Sequence, residues 1–268
     1  MKKILAISVA LVLMLFVFAG CGNNEQANST PETTVNEFTG EITVSAAASL
    51  TDCLEEMATA FNAQYPNIAV TYNFASSGSL QQQIEQGAPA DIFFSAGKKQ
   101  MTALSDAGLM VDDSVKDILQ NTVVLITPVN GATIASFEEL SADSIGKIGV
   151  GEPDSVPVGQ YTAQVFETLG LTDTLADKLV YAKDVKEVLS WVETGNVDAG
   201  IVYSTDALIS DKVTVVATAP ADSHDPIVYP VGIVKASANQ EAAQYFEDFL
   251  FTDTAKEIFT NYGFTPVF

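Results

Sequence analysis

Helix-covered, largely parallel sheets in an α/β architecture are what this sequence predicts, on three observations. Short apolar runs recur between residues 41 and 234 and alternate with stretches of helical hydrophobic spacing. Where a run gives way to a helix, the junction carries serine, aspartate, glycine or proline, the residues that start and stop helices. Of the 268 residues, 47% are hydrophobic, which suffices for the buried core of one or two lobes.

The first predicted strand, 42–46, runs into Ala46-Ala47-Ala48-Ser49-Leu50-Thr51, after which Leu50, Leu54, Met57, Ala58 and Phe61 recur at helical spacing. Ser49 with Asp52 three residues on has the pattern of a capping box. A second strand, 70–74, runs into Phe74-Ala75-Ser76-Ser77-Gly78-Ser79-Leu80, with Ser77 the expected cap of a helix that Gly87 ends and Pro89 follows. Further strands are expected at 91–95, 122–127, 147–151, 178–181, 199–203, 214–218 and 228–234. Gly151-Glu152-Pro153-Asp154-Ser155-Val156-Pro157-Val158-Gly159 opens another helix. Asp184 caps one whose apolar stripe is Val185, Val188, Leu189 and Val192, ending at Gly195. Tyr203 closes the apolar strand Ala199-Gly200-Ile201-Val202-Tyr203.

Ahead of these elements, Met1-Lys2-Lys3, an apolar run from Ile4 to Ala19, Gly20 and Cys21 resemble a bacterial lipoprotein signal. On that reading residues 1–20 are a signal peptide and Cys21 is the lipid anchor. The competing reading is an uncleaved transmembrane anchor, and both place the remainder outside the cytoplasm. Residues 21–40 are rich in Asn, Gln, Ser, Thr and Glu, the composition of a flexible tether, so the folded part is expected from about Glu41. Cys53 falls on an apolar helical face and reads as a packed thiol.

The net charge is −22 and there is no arginine. Such a chain lacks the basic stripe that nucleic acid requires and the polybasic patch that anionic headgroups attract. Any anion site in it must be built mainly from neutral donors. Ser49 and Ser77 fit that need, because a hydroxyl at a strand-to-helix junction stands beside backbone N–H groups that have no intrahelical acceptor. At Val158 and Val185 the useful group would be the backbone N–H itself. Tyr203 could belong to the core or donate into a cleft at the carboxyl end of its strand.

Catalytic constellations are missing. The one histidine, His224, lies in Ser223-His224-Asp225-Pro226, a turn-like segment, and no Gly-x-Ser-x-Gly elbow exists to serve it. A cell-surface Ser/His hydrolase would need a distant serine to meet that ring. Cysteine spacing and acid spacing match no zinc or calcium site, and Walker or dinucleotide loops are absent. No catalytic residue, cofactor or cation site is therefore assigned.

Taken in order, Ala46-Ala47-Ala48-Ser49-Leu50-Thr51, Phe74-Ala75-Ser76-Ser77-Gly78, Gln83-Ile84-Glu85-Gln86-Gly87-Ala88-Pro89-Ala90-Asp91, Gly200-Ile201-Val202-Tyr203 and Tyr262-Gly263-Phe264 resemble the molybdate receptors of bacterial ABC importers. The resemblance runs from about Glu41 to Phe264. It implies the two-lobed type II periplasmic-binding-protein fold with the ligand cleft between lobes, lobe 1 at about 41–122 and 223–268 and lobe 2 at about 123–222. It implies that Ser49, Ser77, Val158, Val185 and Tyr203 hold the oxyanion, molybdate or tungstate, through hydroxyl and backbone N–H groups. Val158 departs from the alanine of better-known members, which a contact through N–H would tolerate. The implied partners are an ABC permease and its ATPase subunit, with the receptor a lipid-anchored, extracytoplasmic monomer. A receptor for sulfate or another oxyanion is the nearest alternative.

Overall fold

The structure is a computed structural model, and it describes residues 39–268. The leader at 1–20, Cys21 and the tether up to residue 38 lie outside the described residues. Strand β1 (Gly40–Ala47) begins two residues before the strand start expected at Ile42 and one before the expected start of the folded part at Glu41.

After β1 come a 3-10 turn (Ala48–Leu50), α1 (Thr51–Gln64), β2 (Ile68–Ala75), α2 (Ser77–Glu85), β3 (Ile92–Phe94), α3 (Lys98–Asp106) and β4 (Lys116–Gln120). The chain then builds β5 (Val123–Pro128), β6 (Ile148–Gly151), α4 (Pro157–Thr168), α5 (Thr172–Leu175), β7 (Leu179–Ala182), α6 (Val185–Glu193), β8 (Ala199–Tyr203), α7 (Ser204–Leu208) and β9 (Val213–Thr218). It finishes with β10 (Val228–Ile233), α8 (Gln240–Phe249), α9 (Asp253–Asn261) and β11 (Thr265–Pro266). Among the described residues these strands form two sheets, ordered β11-β4-β10-β3-β1-β2 and β7-β6-β8-β5-β9.

The sheets are mixed, which corrects the expectation of largely parallel ones. β1 pairs parallel with β2 and β3, and β6 with β7 and β8. β10 runs antiparallel to β3 and β4, β5 antiparallel to β8 and β9, and β11 antiparallel to β4. β5 and β10 are the first strands laid down after the chain passes from one sheet to the other. Neither follows a βα unit of the sheet it joins, so no crossover forces it parallel. Strands β4 and β11 were not expected, because Lys116-Asp117-Ile118-Leu119-Gln120 offers neither alternation nor an apolar run, and β11 has two residues.

Helix α1 buries Cys53, Leu54, Met57 and Phe61 against the first sheet, the stripe that its spacing predicts. The Phe61 ring meets Phe246 and Phe249 of α8 edge-on at 5.1 and 5.4 Å, tying the chain's end to its beginning. Burial of a ring that size contributes about 2 to 3 kcal/mol. Cys53 lies within this core and burial pushes its thiol far above the usual cysteine range, as a packed thiol requires. Gly87 and Gly195 stop α2 and α6 with φ of 83° and 69°, conformations that a side chain resists.

Two segments carry the chain between the sheets, and they lie side by side. Asn121 N–H donates to the Ile227 carbonyl at 3.3 Å and Ala219 N–H to the Val123 carbonyl at 2.9 Å. Such paired crossovers leave few covalent restraints on the angle between the two halves.

Candidate functional site

One narrow cleft brings together Ser49, Ser77, Val158, Val185 and Tyr203, with Ala47, Ala48, Ser76, Ala96, Val156, Pro157 and Asp184. Every one of these lies at or beyond the carboxyl end of a strand. Ser49 comes after β1, Ser77 after β2, Ala96 after β3, Val158 after β6 and Val185 after β7, while Tyr203 ends β8. Parallel strands with helices behind them aim the following helix N-termini at one place, here from both sheets at once.

Capping is not what either serine does, which corrects that expectation. Ser76 caps α2 by accepting from Ser79 N–H, and Ser77 is the first helical residue. The Ser77 hydroxyl oxygen instead accepts from Ala96 N–H at 2.9 Å. Ser49 lies in the 3-10 turn, makes no cap, and its Oγ is 3.0 Å from the Tyr229 hydroxyl. Asp52 pairs with Lys186 and so completes no capping box. Asp184 does cap α6, accepting from Glu187 N–H at 2.9 Å.

Val185 is the first residue of α6 and Val158 the second of α4, positions whose N–H groups have no acceptor within the helix. Both side chains are buried and apolar, so a backbone N–H is the one donor that either residue has for the cleft. Tyr203 is 1% exposed. Burial, then the neighbouring Tyr229, Tyr161 and Asp206, push its phenol well above the usual tyrosine range, so it stays a hydrogen-bond donor. Its hydroxyl donates to the Ala96 carbonyl at 3.4 Å, a long bond that a charged acceptor would readily replace. None of the lining residues is basic.

The two halves touch around this cleft. Gly78 N–H donates to the Ser155 carbonyl at 2.9 Å, and Gln100 Nε2 to Gln160 Oε1 at 3.3 Å. The Asp52–Lys186 pair joins α1 to α6. Two groups behind the cleft went unnoticed in the sequence. Tyr229 reads locally as one more apolar residue of a strand, and Asp206 as an ordinary first-turn acid of a helix. Asp206 is 1% exposed, and neither of its carboxylate oxygens has a hydrogen-bond partner.

Hydrolytic geometry is missing here. His224 Nδ1 bonds the Asp225 carbonyl at 2.7 Å and its ring sits edge-on to Tyr161, while Ser223 Oγ donates to the Pro220 carbonyl at 2.6 Å. Among the described residues no group of three or more His, Cys, Asp or Glu side chains could hold a metal ion, and no helix is long and apolar enough to cross a membrane. A cleft lined by hydroxyl residues and helix starts, with no basic side chain, has the chemistry by which neutral donors recover the lost hydration of a buried anion.

Residues 42–265 match the model of a family described as bacterial extracellular solute-binding protein. The chain is 43% identical over 99% of both sequences to a Bacillus subtilis protein named "Putative ABC transporter substrate-binding lipoprotein YvgL". It is 41% identical, again over 99% of both, to the molybdate-binding protein ModA of Haemophilus influenzae. Among solved structures, the periplasmic molybdate-binding protein of Azotobacter vinelandii superposes with a TM-score of 0.77 at 27% identity, covering 84% of this chain and 98% of that one.

Proposed function

This chain belongs to the bacterial extracellular solute-binding protein family, and from that premise we propose that it captures molybdate, with tungstate as an equivalent ligand, for an ABC importer. It is a transport receptor of the extracytoplasmic compartment and not an enzyme. The permease and the ATPase subunit are its partners, and the protein works as a monomer. Cys21 carries the lipid anchor that holds it at the membrane, which its leader pattern and the lipoprotein relative support. The lobes are about 41–122 with 223–268, and about 123–222.

The observation that carries the reading is convergence. Ser49, Ser77, Tyr203, Val158 and Val185 line one cleft that has no basic side chain, which supports reading the three hydroxyls and the two backbone N–H groups as the donors. A tetrahedral dianion with four acceptor oxygens suits such a set, because each oxygen takes hydrogen bonds and none needs to give one. Hydrogen phosphate does need an acceptor and is disfavoured. Charge-assisted bonds from both halves also provide the differential affinity that favours their approach.

Calorimetry on the exported chain against molybdate, tungstate, sulfate and inorganic phosphate tests this directly. Binding is expected with the first two, and comparable for them, since the ions share charge and shape. Absence of both heat and thermal stabilisation with molybdate and with tungstate overturns the reading, and preference for sulfate reassigns the ligand. Ser77→Ala should weaken molybdate binding by about 1 to 3 kcal/mol, the range for a hydrogen bond to a charged group. Unchanged affinity would return Ser77 to a purely structural role as the acceptor of Ala96 N–H.

A further inference from the structure

We propose that Gln100 and Gln160 act together as a spring against closure. When the halves meet, the pair buries one acceptor and one donor that find no partner, so the unliganded receptor is held open and molybdate binds less tightly than the cleft alone would allow. The proposal rests on the oxyanion reading of that cleft, which neither glutamine lines.

Both residues stand just behind the cleft. Gln100 is the third residue of α3, four beyond Ala96, and Gln160 is the fourth of α4, two beyond Val158. Helix α3 packs on β10 in the half built on the first sheet, and α4 packs on β6 in the other. The two helix starts meet closely, since a Cβ built on Gly97 would lie 2.8 Å from Gln100 Oε1 and 3.2 Å from Pro157 Cβ. Gln100 is 2% exposed.

A side-chain amide has two hydrogens to give and two lone pairs to fill. Two amides face to face can therefore exchange two bonds, and this pair makes one, Gln100 Nε2 to Gln160 Oε1 at 3.3 Å. Gln100 Oε1 and Gln160 Nε2 are buried and have no partner. Exchanging oxygen and nitrogen on one amide sets like atoms against each other, and exchanging them on both gives a single bond across the boundary again. Elsewhere the halves meet through complete contacts: Gly78 N–H reaches the Ser155 carbonyl, and Asp52 pairs with Lys186.

A polar group buried without a partner costs more than an average hydrogen bond returns. With the halves apart both amides face water and the cost vanishes. It falls on the closed arrangement alone, and the apparent affinity of a ligand that needs that arrangement scales with the share of receptor already closed. Neither glutamine touches the anion on this account, and both are positioning residues.

The test is titration of the full chain, Gln100→Met, Gln160→Met and the double variant with molybdate, together with small-angle scattering of each without ligand. Methionine keeps the length and helix propensity of glutamine and carries no amide. Each single variant still buries two unpaired atoms, those of the amide that remains, and should stay within about threefold of the parent. The double variant removes every unpaired atom from the contact and is expected to bind molybdate about tenfold more tightly. It should also be more compact than the parent before ligand is added.

The alanine pair removes the same atoms, should shift both readouts the same way, and decides the matter if the methionine pair melts early. A double variant that binds no more tightly than the parent, or a gain equal to the sum of the two single ones, overturns the spring. So does a ligand-free parent already as compact as its molybdate complex, which leaves no open form to hold. A parent chain that binds neither molybdate nor tungstate overturns the cleft reading instead, and scattering from the ligand-free variants still tests the pair.

Discussion

Alanine at Gly78 is expected to weaken molybdate binding roughly 10- to 100-fold while leaving the free protein as stable as before or slightly more so. A Cβ built on Gly78 would lie 2.4 Å from the Ser155 carbonyl oxygen, 2.7 Å from its Cα and 2.9 Å from its carbonyl carbon. Those are backbone atoms of the loop between β6 and α4, on the other side of the cleft, and no rotamer change moves them. The halves must stay further apart, and the Gly78 N–H to Ser155 bond of 2.9 Å goes with the contact. Within its own half, Gly78 is the second residue of α2, where alanine is the better helix former by up to about 1 kcal/mol.

The two effects therefore have opposite signs. Calorimetry with molybdate and thermal melting without it measure both, and small-angle scattering should find Gly78→Ala more extended than the parent in saturating molybdate. Equal affinities would mean that the approach of Gly78 to Ser155 is no part of binding.

The buried carboxyl of Asp206 is expected to make both stability and affinity depend on pH. Burial first, then the charges of Asp52 and Asp184, raise its pKa from 3.8 to about 7 against the opposing pull of Lys186. The tyrosine hydroxyls of 203 and 229 stand beside it and remain neutral. The folded protein thus keeps this proton up to about pH 7, while the unfolded chain releases it near 3.8. Between those values the native state binds more protons, so stability falls as pH rises and levels off above 7.

The full cost is about 4 kcal/mol at pH 8, and Asp206→Asn should recover most of it there and almost none at pH 4. Urea unfolding at pH 4, 6 and 8 checks this, and a difference between variant and parent that does not change with pH would refute it. A dianion in the adjoining cleft repels the ionised carboxylate, so molybdate affinity should also drop between pH 6 and 8. That drop should flatten in Asp206→Asn.

Much of the molecule is legible from short patterns. The apolar stripe of α1, the stops at Gly87 and Gly195 and the cap at Asp184 all follow from spacing within one turn or two, and the structure has each of them. The five proposed ligand groups come from junction patterns and family resemblance, and they do line one cleft. The strand β4 escapes notice because its two apolar residues carry no periodicity, and the mixed sheets because strand direction depends on where the chain crosses between halves.

The serines divide along the same line. Sequence by itself determined that Ser49 and Ser77 stand where strands give way to helices, in a chain with no arginine to hold an anion. It read both as helix caps, because a cap is a local event. Only the tertiary structure decided that Ser49 meets Tyr229, 180 residues away, and that Ser77 takes the N–H of Ala96 from beyond the end of β3, on the far side of β1. Each of these contacts reaches a segment far away in sequence, which no local pattern records. Local sequence fixes where a hydroxyl sits, and long-range packing fixes what it meets.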